Sequence, residues 1–242
     1  MNKFLRRLRQ NSLLKGKSVK YLKYAISEIV LVVIGILIAL QINTWNEERK
    51  NHEREIKLLT ELRTNLQINI NNLENDIERQ IKSAGIINDL LEHLDNKRPY
   101  HDSLPYFFNE ADYAPDVVLS ASAFETLKST GLELIQTDSL RSSIINLFEV
   151  DYPSLIQETK RLEDQVWPAV VVPMYQKHFR RDKLDKVYVN DYNALLDDQE
   201  FTNMMSFRGN LRRSSTLRKQ KAVLKTKNVL NLIDKELKHD SI

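Results

Sequence analysis

A histidine beside an aspartate could ligate a metal or shuttle a proton, and such a pair sits in the aromatic-rich loop at His101-Asp102. An imidazole titrates near neutrality, and a carboxylate can orient it, so the pair is the minimum of an acid–base or metal site. Chance adjacency in a polar loop explains it more simply. The other histidines, His52, His93, His178 and His239, are scattered, and no HExxH, GxSxG, phosphate-loop or EF-hand pattern occurs. There is no cysteine, which removes disulfides, thiol catalysis and thiolate metal ligation. The basic-aromatic run from Lys177 to Arg181 is short and suits a helix end. Carboxylates are abundant but fall on the polar faces of helices. These residues predict no catalytic residue, no cofactor and no metal, and a protein that is not an enzyme.

The elements that position these residues are ordered by one stretch, Tyr24 to Trp45. From Ile29 to Leu40 it holds no polar or charged residue. With its flanks, Ala25 to Ile42, it approaches the ~20 residues that cross a bilayer core of ~30 Å. Tyr21 and Tyr24 stand at one end and Trp45 at the other, where amphipathic rings prefer the headgroup level. As a helix, Tyr21 to Trp45 rises roughly 36 Å at 1.5 Å per residue. A run apolar on every face could also be a buried core helix, but the rest of the chain has too little apolar mass to surround it. A cleaved signal peptide is the other rival. Leu37 and Ala39 make a poor small-x-small cleavage site, and the basic leader is long for a signal, so an uncleaved anchor is expected.

Charge gives the orientation. Residues 1–23 carry eight Lys and Arg and no Asp or Glu, more than the whole +3 excess, so residues 24–242 carry −5. Basic residues beside a span stay cytoplasmic. The expectation is a basic cytoplasmic tail over 1–23, a transmembrane helix over 24–45, and an exported domain over 46–242. The basic excess belongs to the tail, which suits anionic lipid and argues against nucleic acid. Within the span, Glu28, Gly35 and Ala39 fall near one line of the helix at ~100° per residue. Gly35-xxx-Ala39 allows close helix approach, and a carboxylate in lipid calls for a partner or for snorkelling. Two readings of this line stay open. It is a transmembrane interaction face for a second copy or a membrane partner protein, or Glu28 reaches the headgroups and the spacing is chance.

Beyond Trp45 no proline occurs before Pro99. Leu59, Leu62, Leu66, Ile70, Leu73, Ile77, Ile81, Ala84, Ile87, Leu91 and Leu94 recur in steps of three and four, one helical stripe. The pattern predicts a helix from about Val19 to about Leu94, continuous with the span. The stripe could serve a coiled coil, but its drift favours packing on this chain's own later helices. Residues 95–117, with Pro99, Pro105 and Pro115 and five aromatic residues, read as a loop that caps the bundle end or forms a binding surface. Ser122 and Glu125 have capping-box spacing, and Gly131 sits where a left-handed helix cap belongs. Thr137 or Asp138 caps a further helix that Asp151-Tyr-Pro ends. A third helical stretch spans about Pro153 to Phe179, kinked or looped at Pro168 and Pro173. Asn190 or Asp191 offers another cap. A last helix over about Asp198 to Leu237, with a stripe of Leu217, Leu224, Leu230, Ile233 and Leu237, is long enough to run antiparallel to the first. The fold class is therefore all-α, one transmembrane helix continuous with a long helix in an antiparallel helical bundle.

SEIVLVVIGILIALQINTWNEERK, followed by SAFETLKSTGLELIQTDSLRSSIINLFE, resembles a family of uncharacterised single-pass membrane proteins from Bacteroidota. That family's span pattern, G-E-I-x-L-V-V-x-G-I-L-I-A-L leading into N-W-N-E-x-R, is met here with Ser27 in place of the usual Gly and Thr44 in place of a common Asn. The resemblance implies a bacterial inner-membrane protein with its bulk in the periplasm, and it brings no activity. A membrane-anchored envelope protein that acts through protein–protein contacts is the leading expectation. A ligand-sensing periplasmic bundle is the alternative.

Overall fold

The structure, a computed structural model, describes residues 3–112, 117–183 and 186–239, with the side chains of these except 3–21, 23, 24, 159–163 and 239. The chain divides into two units, Met1–Arg54 and Glu55–Ile242. Helix α1, Lys3–Asp95, runs unbroken through the boundary. It starts well before Val19, because residues 3–18 are rich in Leu, Arg and Lys and contain no proline, and one Gly costs only ~1 kcal/mol.

In the second unit, α8 (Gln199–His239) lies antiparallel to the later half of α1. The cross-links give the direction. Arg63 pairs with Asp234, Glu74 with Lys227, Asp76 with Lys219 and Asn88 with Arg213, so one number climbs as the other falls. The exposed pairs among them add little stability. Burial of the apolar faces does more, at ~25 cal/mol per Å² of apolar surface removed from water. One core cluster joins Leu59, Leu62 and Leu66 of α1 to Ile233 of α8 and to two short helices, α3 (Ser122–Thr130) and α4 (Asp138–Asn146). Phe124 and Phe148 stack there at 4.7 Å. Asn69, fully buried, ties the incoming strand of chain to α1. Its side-chain amide donates to the Ser120 carbonyl at 2.9 Å, and its oxygen accepts the Ser120 N–H at 2.6 Å.

Several expectations are corrected here. The supposed loop 95–117 contains a helix, α2 (Leu104–Asp112). Pro105 does not break it, because a proline near a helix start lacks only an N–H that would have no helical partner anyway. Leu104, Phe108 and Ala111 are its buried face. Tyr113 and Pro115 lie outside the described residues. The capping box at Ser122 and Glu125 does not form. Ser122 is already helical, and its hydroxyl donates instead to Asn65 at 3.0 Å. Thr137 precedes α4, but its hydroxyl donates to Glu236 rather than capping. Nor does Asp151-Tyr-Pro end a helix. The chain continues through a π-helical turn, Leu147–Asp151, into α5 (Tyr152–Val166), then through a second π turn, Trp167–Val171, into α6 (Val172–His178). Each π turn sits just ahead of a proline, Pro153 and Pro173. A wider turn carries the carbonyl four residues back away from the pyrrolidine ring, so the helical run continues past each proline. A two-stranded antiparallel hairpin, β1 (Phe179–Arg181) and β2 (Val187–Val189), was not expected from the sequence. Asp191 does cap the following helix, α7 (Tyr192–Leu196), accepting the Ala194 N–H at 3.0 Å.

Gly131 ends α3 with φ +120°, and its N–H donates to the Leu127 carbonyl. Its ψ of 123° takes it out of the left-handed helical region that was expected. A Cβ here would meet the Glu133 carboxylate at 2.5 Å, a flexible end that can swing away, whereas the backbone strain would stay. Gly131→Ala is therefore expected to destabilise the protein by about 1–3 kcal/mol, read from the urea midpoint by far-UV circular dichroism.

Candidate functional site

The first unit holds one site-like feature, an uncovered apolar helix. Every Ile, Leu and Val from Ile26 to Ile42 is 46–72% exposed. The most apolar window has mean hydropathy 2.6, and none of it is buried within the protein. This is the one helix among the described residues long and apolar enough to cross a membrane. Glu28, Gly35 and Ala39 are all exposed along it, and a Cβ on Gly35 would touch nothing within 4 Å. Trp45 is 67% exposed at the end of the stretch. The side chains of Tyr21 and Tyr24 lie outside the described residues.

In the second unit, no hydrogen bond joins His101 to Asp102 among the described residues. The His101 ring accepts the Ser103 N–H at 3.3 Å and packs edge-on against His93 at 4.9 Å. Burial, with His101 nearby, pushes the His93 imidazole below its usual range. Among the described residues no group of three or more His, Asp or Glu is placed to hold a metal ion.

Asp102 lines a cavity of about 500 Å³ between α2, the segment before it, and β2. Its walls are Tyr100, Pro105, Tyr106, Asn109, Lys186, Val187 and Tyr188. Local sequence explains this mix. Along α2, Leu104 and Phe108 face the core while Tyr106 and Asn109 face out, and in β2 Val187 faces in while Tyr188 faces out. The three tyrosines stay 39–46% exposed. Two of the rings already carry a cation, Lys82 at 5.7 Å from Tyr106 and Arg180 at 5.7 Å from Tyr188. The Tyr188 hydroxyl donates to Asp182 at 3.2 Å, and that bond holds its pKa above the usual range. The aromatic segment divides between core and surface. Phe108 and Leu104 close the core, and Tyr100 and Tyr106 form a surface.

The basic run 177–181 disperses into local contacts. Lys177 and His178 both meet the Asp198 carboxylate, at 2.5 and 2.8 Å, and Arg181 reaches Asn109 and Asp112. Asp198 also caps α8, its other oxygen accepting the N–H groups of Glu200 and Phe201. The Lys177 hydrogen bond is the largest influence holding this carboxyl well below the usual range. Burial opposes it, and the Phe201 N–H and His178 add to it. A depressed folded pKa contributes stability that is complete above the unfolded value of ~3.9 and fades as pH falls through the folded one. Asp198→Asn can keep the cap but loses the carboxylate that Lys177 and His178 meet, so it is expected to be less stable than wild type by about 1 kcal/mol at pH 6. The gap should narrow progressively below pH ~4 in urea titrations.

Fold and surface together define an all-α protein made of a helical bundle and one helix apolar enough to cross a membrane. Residues 28–208 match a family of unknown function (DUF6090), and the chain belongs to that family. No curated protein and no solved structure matches it.

Proposed function

We propose that this protein is anchored in a bacterial inner membrane by residues 24–45, with its basic tail in the cytoplasm and residues 46–242 in the periplasm, and that it acts without catalysis through protein–protein contacts. The observation that carries this reading is the uncovered stretch from Ile26 to Ile42, whose branched aliphatic side chains are about half or more exposed. Isolated exposed leucines are ordinary, but a contiguous apolar surface around a whole helix belongs in lipid or against a partner. A helix can lie in lipid because its backbone groups are satisfied internally. The eight basic residues of 1–23 support the orientation. Trp45, with Tyr21 and Tyr24, suits the two interfaces. The line of Glu28, Gly35 and Ala39 is where a second copy or a membrane partner would pack, since Gly35 leaves room for a close backbone.

The test uses spheroplasts and inner-membrane vesicles. Wild type should stay in the pellet after an alkaline wash, and protease added outside spheroplasts should remove the C-terminal bulk. Release by alkali, or protection of the bulk, would overturn the reading. A complex that co-purifies should dissociate with Gly35→Leu or Glu28→Leu. Its survival in both variants would remove that face from the account.

A further inference from the structure

The cavity between α2 and β2 meets a ligand with side chains. Val187 is 3% exposed and α2 packs on β2, so the strand offers no open backbone edge. What the wall presents is ring surface with a few polar groups, the make-up of a small-ligand site. Its volume of about 500 Å³ lies inside the ~300–1,000 Å³ of such sites.

Several of the polar groups are unengaged. The side chains of Asp102 and Lys186 form no ion pair or hydrogen bond among the described residues. The Asn109 side-chain oxygen accepts from Arg181 at 3.1 Å, which leaves its two N–H donors open. The Tyr100 hydroxyl has no hydrogen bond among the described residues, and the Tyr188 hydroxyl, donating to Asp182, keeps its oxygen as an acceptor.

These groups narrow the class of ligand. A cation would meet Lys186 in the wall, and it would find the Tyr106 and Tyr188 rings already facing Lys82 and Arg180. A free anion would meet Asp102. A wholly apolar molecule would strip water from both charges and return nothing. The carboxylate and the ammonium cancel, so an uncharged ligand is not opposed, provided it both gives and takes hydrogen bonds. A hydroxyl does both. Asp102 and the Tyr188 oxygen can accept from it, and Asn109, Lys186 and Tyr100 can donate to it. The three tyrosines, 39–46% exposed, add ring faces of negative potential, on which weakly positive C–H bonds settle. An uncharged body, several hydroxyls and a C–H face occur together in a sugar ring.

We propose that the tyrosine cavity binds a neutral saccharide, stacked on Tyr100, Tyr106 and Tyr188 and hydrogen-bonded by Asp102, Asn109 and Lys186. The site goes beyond the protein–protein reading and depends on neither the anchor nor the line of Glu28, Gly35 and Ala39.

The experiment presents the full chain, in a detergent without a sugar headgroup, to an array of neutral mono- and oligosaccharides. A panel of free amino acids is run alongside by ligand-observed NMR, because a zwitterion could also match the two charges. A retained saccharide is titrated by calorimetry. Tyr106→Ala, Tyr188→Ala and Asp102→Ala should each weaken binding about tenfold or more. Tyr106→Phe should bind like wild type, since the ring face is what the sugar uses. Should the tyrosine variants misfold by circular dichroism, the wild type still decides the matter. In hydroxyl-radical footprinting the saccharide should protect Tyr100, Tyr106 and Tyr188 and leave the exposed Phe207, which lines no part of the cavity, unchanged. No saccharide retained, no protection of the three tyrosines, or equal affinity in a folded Tyr100→Ala/Tyr106→Ala/Tyr188→Ala variant would each overturn the proposal. So would amino-acid binding with the array blank. The assay needs no bilayer, so a failed anchor and a failed saccharide site give different results.

Discussion

Asp76→Ala is expected to cost the protein about 3–5 kcal/mol of unfolding free energy. Asp76 lies 5% exposed on α1, and the ammonium of Lys219 on α8, 1% exposed, sits 2.5 Å from its Oδ2. Gln80, fully buried, also donates to Asp76. Removing the carboxylate leaves a buried cation without its closest counter-charge, and desolvation is not recovered in the mutant. The double variant Asp76→Leu/Lys219→Met removes both charges at similar volume. It should recover most of the loss, because a buried pair is worth little against apolar packing while a broken one is expensive. Urea unfolding followed by far-UV circular dichroism measures both. If Asp76→Ala costs less than about 1 kcal/mol, the range of exposed pairs, the pair is effectively hydrated. If the double variant is as unstable as the single one, the cost is a packing defect.

This pair also marks where reading the sequence stops. The α1 stripe was legible at Leu59, Leu62, Leu66, Ile70 and Leu73, all buried. Between Leu73 and Ala84, before the stripe resumes with Ala84, Ile87 and Leu94 buried, the buried positions are Asp76, Gln80 and Ser83, while Ile81 is 54% exposed. Facing them, α8 buries Arg208, Arg212 and Lys219 and exposes Leu217 and Leu224, two members of its expected stripe, to 60% and 63%. Hydrophobic periodicity assumes that polar residues face water. That assumption fails wherever a polar residue has a partner, and the partner of Asp76 lies 143 residues along the chain. Arg208 makes the same point. It reads as surface, yet its guanidinium donates to the carbonyls of Ala111 and Asp112 and lies 5.1 Å from the Trp167 ring. The one available signal was the step of four or seven linking Arg208, Arg212 and Lys219, which can be seen only if charges are admitted to the stripe. The antiparallel pairing of α1 with α8 was legible from length alone. The hairpin was not, because three-residue strands carry too few alternations to register. The cavity followed only in part. Its tyrosines were visible in the aromatic segment, but Lys186, Val187 and Tyr188 come to it through the hairpin.

A second large effect is expected from charge placed in the apolar helix. On insertion scales Ile, Leu and Val contribute about −0.3 to −0.6 kcal/mol each at a span's centre, and Asp costs about +2.5 to +3.5. The twelve such aliphatic residues from Ile26 to Ile42 therefore supply roughly −4 to −7 kcal/mol at most, since those near the ends count for less. Ile34→Asp removes about 3–4 kcal/mol of this, which weakens insertion without abolishing it. Ile34→Asp/Ile38→Asp places two carboxylates one turn apart and about doubles the cost, enough to cancel the whole driving force. The double variant should leave the alkali-resistant membrane fraction almost completely, the single variant in part, and Ile34→Leu not at all. The bundle supplies the control, because residues 55–242 form a separate unit, and its melting transition should be unchanged in all three. The alternative is that this helix is covered by protein in an assembly. On that reading the wild type itself would wash free in alkali, and the aspartates would change its oligomeric state without moving it between membrane and soluble fractions. The graded response, none, partial and near complete across the three variants, is the pattern that lipid as the solvent of Ile26 to Ile42 requires.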